Sequence, residues 1–283
     1  MDSQKTMNAN IDLGETDKQV QIYYDQIDTD NFYQKVSGGE HVHIDLFKHQ
    51  DEVLEVAKKR TVEYMASLLD IDDKCRILDL GAGYGGAARY LAKTYSCRVS
   101  CLNISKRQNA TNIQCNQEQG LTDLINVQEG TFERLPYSDA SFDVIWSQDA
   151  IFHSNTPNKL FRECSRVLGE KGEFIFSAVM LDDSISTEDK QKLTQYYSLN
   201  LQYLQTYRHL ANQIDLLEVK MIDLSENIKI NYSRLLERME FLQAENNQLW
   251  SFEFYTKMKQ RLLDWVDATE KGLIRWKILH FKK

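Results

Sequence analysis

Proline and glycine are scarce in this chain of 283 residues, which has only 2 prolines and 12 glycines. That composition disfavours long linkers between independent domains. Cysteine is also sparse: the five cysteines are odd in number and lack zinc-ligand spacing, which disfavours a disulfide framework and a zinc site. No further convergent ligands accompany His41 and His43, so we expect no metal.

Long hydrophobic runs and an excess of positive charge are absent as well. No apolar stretch is long enough to span a bilayer, and the polar N-terminus has no apolar signal core. A formal net charge of −8 gives no indication of a basic, nucleic-acid-binding face. These absences predict a cytoplasmic protein that binds neither membranes nor nucleic acids, and they leave open a monomer or a homodimer.

Residues 76–86 carry the most informative pattern. An apolar run ends with Asp79 and Leu80, the glycines Gly81, Gly83 and Gly86 follow, and a helix is predicted over about 87–93. Glycine permits a tight turn and lets a ligand approach the backbone. The helix that follows directs unpaired N–H groups at the same place. The G-x-G-x-x-G pattern alone is weak evidence for a dinucleotide site.

Asp79 discriminates between possible ligands of this turn. The carboxylate would repel the pyrophosphate of a dinucleotide and attract a ligand that carries an ammonium and a sulfonium group. An acid followed by glycines is typical of the first motif of S-adenosylmethionine-dependent methyltransferases. We therefore predict S-adenosylmethionine as the cofactor, held at Asp79, Gly81 and Gly83. A nicotinamide or flavin site and a turn without ligand remain alternatives.

The second predicted strand, residues 98–104, ends in Asn103 and Ile104. An acid usually stands here to bind ribose hydroxyls, and an amide can still bind them without the charge-assisted contribution. We predict that Asn103 and Gln108 bind the ribose, with a helix cap and a surface glutamine as the alternative. Thr131 and Phe132 follow the third strand, where we expect the adenine.

Strands alternate with helices along the rest of the chain, which predicts a doubly wound α/β fold. The expected architecture is a Rossmann-like seven-stranded sheet, mostly parallel with an antiparallel last strand, an N-terminal helical lid and a helical insertion before that strand. We expect helices over 51–69, with Val53 and Val56 on its packed face, and over 186–212. The predicted divisions are a disordered N-terminus (1–17), a lid and helix (18–70), a cofactor-binding core (71–224), a helical cap (225–270) and the final strand (271–283).

With these residues in view, the chain resembles the sarcosine/dimethylglycine N-methyltransferases and, more distantly, phosphoethanolamine methyltransferases. The motifs that carry the resemblance are Tyr23-Tyr24-Asp25, Gly38-Gly39-Glu40 with His43, the glycine turn, Ser147-Gln148-Asp149-Ala150 with His153, Tyr207-Arg208 and Tyr232. The resemblance implies transfer of a methyl group to a small amine or amino acid. It adds Tyr23 and Gln148 to the cofactor-binding residues. The substrate-binding residues it implies are Tyr33, His43, Asp149, Tyr207, Arg208 and Tyr232.

The amine must lose a proton before it attacks, and Tyr24 or His153 is expected to receive that proton. Aromatic rings of Tyr23, Phe32 and the 196–207 segment are candidates for cation–π contacts, and Arg208 for a carboxylate clamp. Purely structural roles remain open for each. Gln202-Tyr203 replaces a small Gly-Ser pair of the family and leaves the acceptor open. The other functional alternatives are phosphoethanolamine-type, carbon or oxygen methylation, an NAD-dependent oxidoreductase, and a non-catalytic module that binds S-adenosylmethionine.

Overall fold

The computed structural model describes residues 13–197, 201–246 and 249–283, and the side chains of these residues apart from 194–197. Within these ranges the chain forms seven strands, ten α-helices and one short 3₁₀ helix, Ile151–His153. The strands are β1 (Arg76–Leu80), β2 (Arg98–Asn103), β3 (Ile125–Glu129), β4 (Phe142–Gln148), β5 (Leu168–Leu181), β6 (Leu217–Asp223) and β7 (Ile274–Lys282).

The helices lie on both faces and at the carboxyl edge of the sheet. They are α1 (Glu15–Asp25), α2 (Ile27–Lys35), α3 (Leu54–Ala66), α4 (Gly86–Tyr95), α5 (Lys106–Glu118), α6 (Pro157–Val167), α7 (Thr187–Tyr197), α8 (Leu204–Asn212), α9 (Glu226–Glu245) and α10 (Phe252–Glu270). No described helix has the length and apolar character that crossing a membrane requires.

The strands form one sheet in the order β3-β2-β1-β4-β5-β7-β6. Strands β1 to β5 are parallel, whereas β7 runs antiparallel between β5 and β6. The chain leaves β1 toward β2 and β3 and later returns to the other side of β1 as β4. The crevice at the carboxyl ends of β1 and β4 is therefore the topological switch point, where ligands bind in folds of this kind. The predicted fold class is confirmed.

Both faces of the sheet are covered by apolar layers. On one face β1 and β4 pack against α3 and α4, and Ile77, Trp146 and Leu91 are all fully buried there. On the other face α6 and α8 pack with Phe161 and Tyr207 against the sheet. Burial on both faces explains why the central strands are nearly continuous apolar runs in the sequence.

The insertion α9–α10 packs against the N-terminal helices. Phe32 of α2 and Val36, which follows the helix, share a buried cluster with Leu235, Met239 and Met258 of the insertion. The lid and the cap therefore form one apolar layer over the carboxyl edge of the sheet.

Three local expectations were wrong. Helix α1 begins at Glu15, inside the segment predicted to be disordered, while residues 1–12 lie outside the described part. Val53 and Val56 are 58% and 50% exposed. The packed face of α3 instead includes buried Lys58, because its ammonium pairs with buried Asp45 at 3.0 Å. The predicted 186–212 helix is two helices, α7 and α8. Gln202 is not helical, because its backbone carbonyl accepts a hydrogen bond from the N–H of Leu181 at the end of β5.

Candidate active site

A cleft of about 680 Å³ lies at the carboxyl ends of β1 and β4, and we call it the donor cleft. Asp17, Val20 and Tyr24 of α1 cover it from the outside. Most of the predicted cofactor residues line it, namely Gly81, Gly83, Asn103, Ile104, Gln108, Thr131, Phe132 and Gln148. A smaller cavity of about 340 Å³, the tail cavity, continues from Gly81 and Gly83 to Asp79.

Asp79 is the buried carboxyl group of the tail cavity, which exposed Glu40 also lines. It is 2% exposed, and its Oδ2 has no hydrogen-bond partner among the described residues. Burial raises the pKa of this carboxyl to about 7. A buried carboxylate without a partner is unfavourable, and an ammonium group of a ligand would supply the missing charge and hydrogen bond. The site therefore fits the amino-acid end of S-adenosylmethionine.

Two positions of the glycine turn, Gly81 and Gly83, have backbone conformations that favour glycine. Gly81 has φ +79°, and a Cβ there would lie 2.3 Å from Cβ of Ala150. Gly83 also has positive φ, at +55°. Both conformations favour glycine. The turn thus presents bare backbone to the donor cleft.

The predicted ribose residues are held by each other. Nδ2 of Asn103 donates to Oε1 of Gln108 at 3.0 Å, and both side chains are buried. Ser105 caps α5 by accepting from the backbone N–H of Gln108 at 3.1 Å. The lid reaches the same place, because Nε2 of Gln21 donates to the carbonyl of Ile104 at 2.8 Å. The amides lie ready for hydroxyl groups in the cleft.

Gln148 ends β4 between the donor cleft and the tail cavity. Its Oε1 accepts from Nε1 of Trp146 at 3.2 Å, which leaves its buried Nε2 without a partner among the described residues. An unpaired buried donor calls for an acceptor from outside the chain.

On the opposite wall, Phe132 packs so closely over Gly81 that its Cζ would be 3.4 Å from a Cβ there. The ring forms an apolar face of the cleft.

A second cavity of about 700 Å³, which we call the acceptor cavity, lies under the lid and the cap. Its walls are strongly aromatic. They include Tyr23, Tyr24, Phe32, Tyr33, Phe152, Tyr232 and Trp265, and Met258 joins them. The rings of Tyr232 and Trp265 stack at 5.2 Å, and those of Tyr24 and Tyr33 at 5.8 Å. Such walls suit a methylated ammonium group.

The donor cleft and the acceptor cavity share Tyr24, Val42, Asp149 and His153 as a common wall. Tyr24 Oη lies 3.0 Å from Nε2 of His153. Burial, and secondly the charge of Arg261, lowers the pKa of His153 to about 3. Burial raises the pKa of the Tyr24 phenol above its usual value. Both groups are therefore neutral at physiological pH, and the Tyr24 hydroxyl can donate to an unprotonated Nε2.

Asp149 holds the common wall together. Its Oδ2 accepts from the backbone N–H of Ile44 at 2.8 Å, and its Oδ1 accepts from Ser177 and from Nε1 of Trp276, each at 2.8 Å. The residue has φ +49°, a strained conformation outside glycine. Three donors keep the carboxylate in place although burial raises its pKa. Asp149 thus fixes a negative group between the cavities and joins the lid to β5 and β7.

His43 borders the acceptor and the tail cavities. Its Nδ1 lies 2.9 Å from the carbonyl of Ile44, so that nitrogen carries the hydrogen. The buried Nε2 has no partner among the described residues. Burial lowers the pKa of His43 well below its usual value. The ring therefore offers a bare acceptor to a ligand.

Comparison with known proteins agrees with this geometry. A methyltransferase domain family matches residues 78–176. The chain is 38% identical to the sarcosine/dimethylglycine N-methyltransferase of Halorhodospira halochloris, over 92% of this chain and 94% of that protein. The chain belongs to the sarcosine/dimethylglycine N-methyltransferase family. It is accordingly an S-adenosylmethionine-dependent methyltransferase.

Two further comparisons place this family member. It is 41% identical to the glycine/sarcosine/dimethylglycine N-methyltransferase of Actinopolyspora halophila over 91% of this chain, but spans only 46% of that protein. A solved structure from Galdieria sulphuraria, assigned as a sarcosine dimethylglycine methyltransferase, superposes with a TM-score of 0.87 at 35% identity, covering 92% of this chain and 98% of that one.

The structure places three predicted residues of this methyltransferase elsewhere. Tyr23 lines the acceptor cavity and not the donor cleft. Tyr207 is 1% exposed in the core between Phe161 and Phe176, because it lies on the packed face of α8. Arg208, the next residue of that helix, pairs with Glu218 of β6 at 2.6 Å. Neither Tyr207 nor Arg208 lines a cavity of the site.

Other predicted substrate residues do meet in one place. Tyr33, His43, Asp149 and Tyr232 all line the acceptor cavity. The side chains of Tyr196 and Tyr197 lie outside the described part. Sequence reasoning missed Arg261 of α10, which also lines this cavity. Within the described residues no three His, Cys, Asp or Glu side chains converge on a metal position, and the five cysteines are free.

Proposed function

We propose that the enzyme transfers the methyl group of S-adenosylmethionine to the nitrogen of a small amino acid that carries a secondary or tertiary amine, as in sarcosine or dimethylglycine. The observation that carries the proposal is the common wall. A cleft suited to a cationic methyl donor and an aromatic cavity meet at Tyr24, Asp149 and His153. The names of the two curated relatives support the choice of acceptor.

In this proposal the chain positions the donor from three sides. Asp79 pairs with its ammonium, the turn at Gly81 and Gly83 admits its tail, and Asn103 with Gln108 binds its ribose. When bound, S-adenosylmethionine supplies a methyl group activated by its sulfonium. Because that group is already activated, alignment and exclusion of water provide most of the rate.

The acceptor nitrogen must reach the common wall with a free lone pair. Tyr24 Oη can accept a hydrogen bond from the N–H of the protonated amine while it donates its own hydrogen to Nε2 of His153. This proton must leave before the lone pair attacks the methyl group. Because the pKa of His153 is lowered to about 3, the imidazole does not hold this proton near neutral pH, and water is its final acceptor. The aromatic walls stabilise the ammonium product through cation–π contacts.

The proposal also covers the setting of the enzyme. We propose a cytoplasmic protein, which the five free cysteines support. Whether it is a monomer or a homodimer stays a prediction, which light scattering after size exclusion measures directly.

Radiolabelled S-adenosylmethionine tests the activity. The purified protein is incubated with glycine, sarcosine, dimethylglycine, phosphoethanolamine and N,N-dimethylethanolamine, and products are identified by mass spectrometry. We expect methylation of sarcosine or dimethylglycine. Binding of S-adenosylhomocysteine without transfer to any of the amino acids would contradict the proposed acceptor.

A further inference from the structure

Arg261 is a cation inside the acceptor cavity that the protein does not neutralise. Its Cζ lies 5.4 Å from the centroid of the Tyr23 ring. Its guanidinium lies among the side chains of Tyr23, Tyr24, Tyr33 and Tyr232, and its charge also acts on His153. No carboxylate in the described part of the chain forms an ion pair with it. Arg261 is partly buried. Holding a partly buried guanidinium without a counter-charge is unfavourable, and such a site favours an anionic ligand.

Arg261 and Asp149 give the acceptor cavity a positive side and a negative side. Asp149 borders both the donor cleft and the acceptor cavity, whereas Arg261 borders the acceptor cavity alone. The three hydrogen bonds to Asp149 are made by the protein itself, so its charge is fixed and does not depend on a ligand. The electric field of the two groups therefore runs from Arg261 toward the donor side.

We propose that Arg261 binds the anionic group of the acceptor and, with Asp149, orients a zwitterionic amine so that its nitrogen faces the methyl donor. This inference rests on the proposed function and specifies the class of substrate: a small amine joined to an anion by a short linker. Arginine suits the task because it stays charged and its planar fork binds a carboxylate through two hydrogen bonds. A carboxylate and a phosphate share this chemistry.

Arg261→Met tests the inference, and Arg208→Met is its matched control because Arg208 pairs with Glu218 outside the cavities. We expect Arg261→Met to lower kcat/KM for sarcosine or dimethylglycine by about 100-fold, the order of a charge-assisted hydrogen-bond pair. For N,N-dimethylethanolamine, an acceptor without an anionic group, we expect kcat/KM to change by no more than about 3-fold. We expect Arg208→Met to leave kcat/KM unchanged for both kinds of acceptor. Arg261→Lys should keep part of the activity toward sarcosine or dimethylglycine.

A second measurement does not depend on the folding of a variant. The wild type is assayed with sarcosine and with its neutral amide, and we expect a preference for the acid of about 100-fold. Melting temperature and binding of S-adenosylhomocysteine establish that each variant is folded. A wild type that treats acid and amide alike, or an Arg261→Met enzyme that loses all acceptors equally, would overturn the inference.

The panel separates this inference from the proposed function. If the wild type methylates phosphoethanolamine and no amino acid, and Arg261→Met abolishes that activity, the proposed acceptor is wrong while the anion site stands. If the wild type methylates sarcosine or dimethylglycine and Arg261→Met retains the preference for the acid, the proposed function stands and the role of Arg261 is refuted.

Discussion

The hydroxyl oxygen of Tyr24 lies 3.0 Å from Nε2 of His153, so helix α1 touches the turn after β4 across the common wall. We expect Tyr24→Phe to lower kcat by about 10- to 100-fold at saturating acceptor, since it removes the group proposed to accept the amine hydrogen. Steady-state kinetics with the labelled donor measures the change. Tyr33→Phe, in the stacked neighbouring ring, is the control. An unchanged kcat would show that the Tyr24 hydroxyl takes no part in the reaction and that the residue only covers the donor cleft.

His153 predicts a dependence of stability on pH. Its pKa is about 3 in the folded protein and near 6.5 in the unfolded chain, so below pH 6.5 only the unfolded chain gains the proton. Its contribution to stability is complete above pH 6.5 and is lost as the pH falls toward 3, by about 1–2 kcal/mol at pH 5.

His153→Gln removes this titration and keeps an acceptor for the Tyr24 hydroxyl. We expect its loss of unfolding free energy between pH 7.5 and pH 5 to be about 1–2 kcal/mol smaller than that of the wild type. Urea unfolding at both values measures it, with exposed His49→Gln as the control. Equal losses in wild type and His153→Gln would contradict the neutral, buried state.

Asp79→Asn is expected to change stability and donor affinity in opposite directions. Because its pKa is raised to about 7, the charged carboxylate destabilises the free fold increasingly as the pH rises from about 4 to 7. At pH 8 we expect the variant to be more stable than wild type by about 2–4 kcal/mol without ligand. Its affinity for S-adenosylhomocysteine should fall by about 10- to 100-fold.

Thermal unfolding and titration calorimetry measure these two effects. Asp143→Asn is the control, because Asp143 pairs with Arg76 at 2.8 Å at the far end of the sheet. An Asp79→Asn protein with wild-type donor affinity would show that the ammonium of the donor does not meet this carboxylate.

Gly81→Ala separates close approach from backbone strain. The new Cβ would lie 2.3 Å from Cβ of Ala150, whereas a Cβ at Gly120, with φ +66°, would meet nothing within 4 Å. Gly120→Ala should therefore cost only the strain of positive φ, about 1 kcal/mol. We expect Gly81→Ala to cost at least about 1 kcal/mol more and to weaken donor binding. If the two variants lost similar amounts of unfolding free energy, the close packing of Gly81 against Ala150 would be excluded.

Tyr207→Phe and Tyr84→Phe form a matched pair in the core. The Tyr207 hydroxyl is buried without a partner in the described residues, so its removal should be neutral or stabilise by up to about 1 kcal/mol and leave kcat/KM unchanged. The Tyr84 hydroxyl donates to Asp30 of α2 at 2.7 Å, and its removal should destabilise by about 1 kcal/mol. Loss of acceptor affinity in Tyr207→Phe would restore its predicted substrate role.

The sheet and the donor cleft could be predicted because their signals are local in the chain. Asp79 and Gly81 stand within three residues, and the strands follow with regular helices between them. The acceptor cavity could not be predicted in this way. Arg261 lies in α10 among ordinary surface residues of the sequence, and only the packing of the insertion against α2 brings it beside Tyr23.

The errors have the same origin. Arg208 follows Tyr207 in a motif, but adjacent residues on a helix point in different directions, and the partners of both are set by β5 and β6. On α3 the sequence favoured the valines for the core, yet Lys58 is buried there because it pairs with Asp45, 13 residues earlier in the segment before the helix. Burial of a charge depends on a partner that a local pattern does not contain.

Helices α9 and α10 lie between β6 and β7 in the chain and contribute no residue to the donor cleft. They supply much of the wall of the acceptor cavity. Chemistry and selectivity are thus encoded in separable parts of the chain. We therefore expect mutations in these two helices to change the choice of acceptor with little effect on donor binding. A library confined to the positions of these two helices that face the acceptor cavity would search for new acceptors at little risk to donor binding.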